Sequence, residues 1–167
     1  MTDQQNAHTP NQTPAADPNA PMVTPQVVYI KDVSFESPNG PFTAGLEGQP
    51  QVNLTMRTNN SVLAPDVYEV VLQINLEARA GDKVVWLCEL QQAAAFVVKN
   101  LPSTELMQVL NLMAPNYLLT YARATISDLV VKGGFPPFLL PLVTFEALHA
   151  RQRAQQQPVA EGAATVN

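Results

Sequence analysis

An alternation of apolar and polar side chains over residues 67–79 constrains the fold more than any other feature of the sequence. Every second position is apolar: Tyr68, Val70, Leu72, Ile74, Leu76 and Ala78. Most of the positions between them are polar. Because successive side chains of a strand point to opposite faces, this pattern predicts a β-strand with one buried face. The chain is therefore expected to form a sheet that is covered on one side.

Three further strands are predicted around this one. Residues 27–36 are rich in β-branched and aromatic side chains, residues 52–57 alternate, and residues 84–98 follow a short Gly-Asp turn. Consecutive strands that are joined by short turns favour an antiparallel meander.

Alternation also divides the first strand into two faces. It predicts Tyr29 and Lys31 on one face, and Asp32 and Glu36 together on the other. The two acidic residues are four positions apart, which is about 13 Å along a strand.

After residue 102 the period becomes helical. Apolar residues recur at helical spacing at Leu106, Val109, Leu110 and Met113. Pro115 is expected to interrupt or restart this helix, and a second helical run over residues 117–131 ends at Gly133 and Gly134. A short helix is predicted from residue 145 to about 155. Four strands followed by helices predict an α+β fold, a four-stranded antiparallel sheet with helices packed on one face.

The two ends of the chain differ in composition from its middle. Residues 1–26 are rich in Pro, Gln, Asn and Thr and contain no Phe, Tyr or Trp, and residues 155–167 are equally featureless. Such segments bury too little apolar surface to offset the entropy of ordering, so both are predicted to be disordered. The first is a proline-rich arm, and one compact domain is predicted over residues 27–154.

Charge and hydropathy limit the classes of partner. The net charge is −5 at pH 7, so an electrostatic grip on nucleic acid or on an anionic membrane is not expected. Neither a secretory signal nor an apolar run of membrane-spanning length is recognised, which predicts a soluble protein of a reducing compartment without direct membrane insertion. The single cysteine, Cys88, excludes an intramolecular disulfide.

The sequence contains no motif of catalytic or metal-binding chemistry. It has two histidines, His8 and His149, and no Cys-x-x-Cys, His-Glu-x-x-His or phosphate-binding glycine loop. Cys88 lies within a predicted strand and is interpreted as a small packed hydrophobe, not as a nucleophile. We therefore predict that the protein is not an enzyme and that it binds no metal and no cofactor.

Two irregular segments carry apolar side chains among prolines and glycines. The first contains Phe42 and Leu46, and the second runs from Phe135 through Phe138 and Leu139. Because irregular backbone usually runs over the surface, these side chains either cover their own core or line a binding surface. On the pattern alone, core covering is the favoured interpretation.

Several blocks of this sequence resemble the SecB family of bacterial protein-export chaperones. They are YIKDVSFESPN (29–39), DVYEVVL (66–72), LCELQQ (87–92), PN (115–116) with YAR (121–123), GFP (134–136) and PLVTFEAL (141–148). The blocks follow the order of the family over residues 29–148. The chain departs from the family in its long proline-rich arm and at Thr144 and Glu146, where the family usually has Asn and Asp.

The resemblance implies an ATP-independent holdase that keeps preproteins unfolded in the cytoplasm and delivers them to the motor ATPase SecA. It also implies a homotetramer, a dimer of dimers, with contacts through first-strand edges and the long helix. The absence of recognisable catalytic motifs agrees with a chaperone function. The alternative is an adaptor or structural domain that binds one folded partner.

The resemblance further assigns three sets of residues. The predicted SecA-binding residues are Asp32, Glu36, Leu87 and Glu89, which match the positions where the family binds the zinc-carrying tail of SecA. The predicted client-binding groove contains Phe42, Leu46, Leu54, Phe135, Phe138 and Leu139. The residues predicted to influence the balance between dimer and tetramer are Cys88, Leu90 and Gln92. On pattern alone, the alternative for the SecA-binding set is an ordinary solvated acidic face. The alternative for Cys88, Leu90 and Gln92 is packing within one subunit.

Overall fold

The computed structural model describes residue 17 and residues 19–41, 50–141 and 145–147. These residues form four strands, two α-helices and a π-helical turn. The strands are β1 (Met22–Glu36), β2 (Gln51–Ala64), β3 (Val67–Ala80) and β4 (Lys83–Lys99). The helical elements are α1 (Ser103–Gln108), the π-helical turn (Val109–Met113) and α2 (Ala114–Lys132).

The strands form one antiparallel sheet in the order β1-β4-β3-β2. β2, β3 and β4 form the predicted meander, with tight turns in which Asp66 and Gly81 adopt positive φ. β1 pairs with β4 and not with β2, so the complete sheet has the strand order of a Greek key. The predicted meander is therefore corrected for β1, because periodicity identifies strands but not their partners.

β1 begins at Met22, five residues before the predicted start. Met22 lies opposite Lys99 and Pro25 lies opposite Phe96, so residues 22–26 belong to the sheet. This corrects the predicted boundary of the proline-rich arm. A proline is tolerated here because β1 is an edge strand with a register shift directly after Pro25.

A second register shift in β1, between Ile30 and Asp32, breaks the alternation of this strand. Tyr29 lies opposite Ala93 and Asp32 lies opposite Gln91, two residues on the same face of β4. Lys31 is the extra residue of this β-bulge. The prediction that Tyr29 and Lys31 lie on the face opposite to Asp32 was wrong, because a one-residue bulge reverses the alternation beyond it.

The core lies between the sheet and α2. β3 contributes Val70, Leu72 and Ile74, which are fully buried, and α2 contributes Leu118 and Ile126. Alternate residues of the strands point to the other side of the sheet, here called the open face, which no described helix covers. The predicted α+β architecture is confirmed.

Of the two effects predicted for Pro115, the structure shows a restart: a new helix begins at Ala114, and the helical region is not interrupted. α1, the π-helical turn and α2 follow one another directly, and Pro115 lies in the first turn of α2. A proline has no N–H to donate, and the first turn of a helix is where that donor is least needed. The wider π-helical turn ends at Met113, directly before the first residue of α2. Residues 145–147 are helical; the rest of the predicted terminal helix and the tail over residues 155–167 lie outside the described residues.

The end of α2 meets the end of β1 at Gly133. A Cβ atom at Gly133 would lie 2.4 Å from Cε1 of Phe35, whose ring lies beside Trp86 and Phe135 with centroids 6.1 and 6.4 Å away. Only glycine permits this approach. No helix within the described ranges is long and apolar enough to cross a membrane.

Candidate functional site

The four residues predicted to bind SecA lie together on the open face. Glu36 of β1 is directly opposite Leu87 of β4, and Glu89 lies one row further along the same face. Asp32 occupies the next row, opposite Gln91. These four residues, Asp32, Glu36, Leu87 and Glu89, are called the acidic patch below.

The carboxylates of the acidic patch are free of neutralising partners. Asp32, Glu36 and Glu89 are exposed, and none of them forms an ion pair within the part of the chain that is described. Glu77 on β3 differs, since its Oε1 lies 2.5 Å from Nη1 of Arg79. Three unpaired negative charges therefore share one face with the half-buried Leu87, an arrangement that suits a basic segment with a small apolar anchor.

A second polar cluster lies on the open face around Glu69 of β3. The Nζ atom of Lys31 donates to both carboxylate oxygens of Glu69, at 2.8 and 3.0 Å, and the hydroxyl of Tyr29 donates to Oε1. Ser61 of β2 adds a longer hydrogen bond of 3.5 Å. Glu69 is only 8% exposed, although it lies on the uncovered side of the sheet. The cluster thus joins β1, β3 and β2 across the intervening β4.

These contacts change the acidity of both partners. The hydrogen bonds from Lys31 and Tyr29 hold the pKa of Glu69 below its usual value, and they outweigh the opposite effect of burial. The hydrogen bond to the Glu69 carboxylate raises the pKa of Tyr29 to about 12. This cluster was not predicted, because only the bulge at Lys31 brings Tyr29 and Lys31 to the same face as Asp32.

Within the described part of the chain, the helix-facing side of β2 is only partly covered, because α2 packs mainly over β3 and β4. Leu54 is half-buried there, between the equally half-buried Val52 and Met56. Phe138 packs edge-on against Trp86, with ring centroids 5.7 Å apart, and Leu139 is 71% exposed. Leu54 and Phe138 thus remain partly accessible on this side of the sheet, and Leu139 is exposed on the neighbouring irregular segment.

The other three predicted groove residues have different positions. Phe135 is buried in the core beside Phe35. It therefore covers the core, as the pattern of the irregular segment alone favoured. Phe42 and Leu46 lie outside the described residues.

Cys88, Leu90 and Gln92, predicted to affect oligomer balance, are buried on the helix-facing side of β4. Burial raises the pKa of the Cys88 thiol to about 11, so the thiol stays protonated at neutral pH. The Nε2 atom of Gln92 donates to the carbonyl of Tyr29 at 2.9 Å, whereas its buried Oε1 has no hydrogen-bond partner among the described residues. All three side chains therefore pack within the subunit. Their burial does not test the predicted influence on assembly.

Among the described residues, no three His, Cys, Asp or Glu side chains form a group that could hold a metal ion.

Comparison with known proteins identifies the family. The model of the preprotein translocase subunit SecB family matches residues 16–156. The protein-export protein SecB of Hahella chejuensis is 42% identical over 153 residues, which cover 89% of this chain and 96% of that protein. The SecB protein of Pseudomonas fluorescens Pf-5 is 37% identical over 161 residues, covering 96% of this chain and 98% of the relative.

A solved structure agrees in fold. The SecB-like chaperone of Mycobacterium tuberculosis, in complex with a peptide from an antitoxin, has a TM-score of 0.62 to this chain. It is 16% identical, and the match covers 73% of this chain and 91% of that chain. The sequence similarity over almost the whole chain, with the shared fold, leads to one conclusion: this chain belongs to the SecB family of protein-export chaperones.

Proposed function

We propose that this protein is an ATP-independent holdase of the cytoplasm that keeps preproteins unfolded and delivers them to SecA. The observation that carries the proposal is the division of the sheet into two different surfaces. Among the described residues, its helix-facing side leaves a strip of apolar residues on β2 only partly covered, and its open face carries the acidic patch. Because the surfaces lie on opposite sides, one subunit can hold a client and dock on a motor at the same time.

The client groove follows the uncovered edge of the helix-facing side, with Leu54, Phe138 and Leu139 as its contact residues. Clients of a general holdase share no sequence, so recognition depends on apolar contact, which has no directional requirement. Exposed apolar side chains on irregular backbone suit this task because they can repack around different clients. Phe42 and Leu46 belong to the same groove in this proposal.

The acidic patch is the docking site for SecA. Unpaired carboxylates at Asp32, Glu36 and Glu89 accelerate the encounter with a basic segment, and Leu87 supplies an apolar contact. The zinc carried by the family's SecA tail belongs to that partner.

The functional form is a homotetramer, a dimer of dimers. Apolar side chains remain exposed on the β1 edge strand, including Val27 and Ile30, and on α2, including Tyr121 and Val131. Closed symmetric assembly is the usual way to cover such surfaces.

The test is suppression of aggregation. The purified protein, without ATP, is expected to slow the aggregation of an unrelated denatured protein in proportion to its concentration. An adaptor for one folded partner would protect no unrelated client, so unchanged light scattering with two different clients would refute the holdase function.

A further inference from the structure

A shallow cavity of about 220 Å³ continues the acidic patch across β3 to β2. Its lining side chains are Asn53, Thr55, Asn75, Glu77, Leu87 and Glu89. Leu87 and Glu89 also belong to the acidic patch. The patch and the cavity therefore form one continuous surface on the open face.

The strand register arranges these residues in rows across the sheet. One row contains Ser34, Glu89, Asn75 and Thr55, and the next contains Glu36, Leu87, Glu77 and Asn53. Neighbouring strands lie about 4.8 Å apart, so Thr55 is about 10 Å from Glu89 along its row. An extended peptide advances about 3.4 Å per residue, so three residues span this distance.

The polar groups in the cavity are available for a ligand. Asn75 and Thr55 are exposed, and neither side chain forms a hydrogen bond to another described residue. Asparagine is depleted from strands, yet Asn75 lies in the middle of an interior strand. A carboxamide both donates and accepts hydrogen bonds, as a peptide group does, so the two can pair. Glu77 is neutralised by Arg79, which leaves Glu89 as the unpaired charge of the cavity.

We infer that Asn75 and Thr55 determine specificity in docking, by forming hydrogen bonds with an extended stretch of the SecA segment whose basic side chain meets Glu89. This inference rests on the proposed docking of SecA at the acidic patch. Charges attract a basic segment from a distance, but they fix its position poorly. Directional hydrogen bonds at Asn75, one strand away from Glu89, and at Thr55, two strands away, set the register of the segment and slow its dissociation.

The experiment is calorimetric titration of purified SecA with full-length variants of this protein. Thr55→Val removes a hydroxyl at nearly constant volume, and Asn75→Ala removes the amide. Each is expected to weaken binding by about 3- to 10-fold, the usual effect of one lost hydrogen bond. The slope of affinity against salt concentration should stay at its wild-type value, because neither variant removes a charge. Client holding should also be unchanged.

Two further variants make the outcomes distinguishable. Asn59→Ala makes the same chemical change on the open face of β2, outside both rows, and should bind SecA as the wild type does. If Thr55→Val and Asn75→Ala match the wild type while Glu89→Lys binds at least about tenfold more weakly, the inference is wrong and docking at the acidic patch stands. If Glu89→Lys also binds normally, the docking proposal fails and the inference fails with it. Circular dichroism and gel filtration establish that each variant is folded.

Discussion

Glu69 on β3 and Lys31 on β1 are joined across β4 by a salt bridge of 2.8 Å between Oε2 and Nζ. The two strands are separated by about 10 Å, twice the strand spacing, so both side chains extend over the strand between them. The residues of β4 beneath them are Ala93 and Ala95, and both are buried. Small side chains at these positions leave room for the bridge, which ties an edge strand to the centre of the sheet.

The Glu69→Gln variant should lower the free energy of unfolding by about 1–2 kcal/mol. The substitution removes the charge that Lys31 and Tyr29 hydrogen-bond, while the half-exposed Lys31 can still reach water, which limits the loss. Urea denaturation measures the effect. Glu89→Gln, the same substitution at an unpaired site on the open face, is the control and should change stability little. Equal losses in the two variants would contradict a stabilising role for the bridge.

The contribution of Glu69 should also depend on pH. Its pKa in the folded protein lies below the ordinary value of 4.5, so folding favours the ionised form. The stabilisation is therefore complete above the unfolded pKa and is lost as pH falls through the folded pKa. Unfolding free energies of wild type and Glu69→Gln should differ at pH 7 and converge in acid. A difference that persisted at a pH well below the folded pKa would refute this assignment.

The Gly133→Ala variant should destabilise the fold by about 1–3 kcal/mol, the typical cost of overpacking. The new methyl group would overlap the ring of Phe35, which Trp86 and Phe135 hold in place. Thermal or urea unfolding measures the loss. In the Phe35→Leu background the smaller side chain makes room, so the same substitution should cost less there. If the losses of the two single variants simply add in the double variant, the clash with Phe35 is not the cause of the loss in Gly133→Ala.

Reversing one charge of the acidic patch should weaken SecA binding without affecting client holding. Asp32→Lys is expected to reduce affinity by about tenfold or more at low salt and by less at high salt, since exposed charges are screened. Glu105→Lys makes the same charge change on α1, away from the open face, and controls for net charge. A folded, tetrameric Asp32→Lys variant with normal affinity would exclude Asp32 from the docking site.

Leu139→Ser should impair client holding while leaving stability almost unchanged. Leu139 is 71% exposed, so its removal costs the folded subunit little, but it withdraws an apolar contact from the groove. In aggregation assays, the variant should begin to protect a denatured client more slowly, or more of the variant should be needed for the same protection. Met107→Ser, at a site on α1 that is 53% exposed, is the matched control. Equal losses of protection in both variants would argue against a defined groove at Leu139.

Most of the architecture could be predicted from the sequence, because it depends on local patterns. The alternation around Leu72 and Ile74 identified a half-covered strand, and the change of period after residue 102 identified the helices. The position of β1 beside β4 depends on long-range pairing, which leaves no local signature. The bulge at Lys31 likewise depends on that pairing, so the faces of Tyr29 and Lys31 were assigned wrongly.

The candidate site could be predicted only in part. Family resemblance supplied Asp32 and Glu89, and the register brings them to one face even though the bulge lies directly before Asp32. The burial of Phe135 could not be predicted, because an apolar residue on irregular backbone suits a core and a groove equally well. The partners of Glu69 were equally hidden, because they come from strands that are distant in sequence.

β4 carries Leu87 and Glu89 on one side and Trp86 and Cys88 on the other, in strict alternation along a single backbone. A shift of the β4 main chain therefore moves the side chains on both faces together. Any adjustment of Trp86 that shifts its main chain also shifts the neighbouring Leu87. A load on the apolar side can thus be transmitted mechanically to the open face through the thickness of one strand, with no hinge between them.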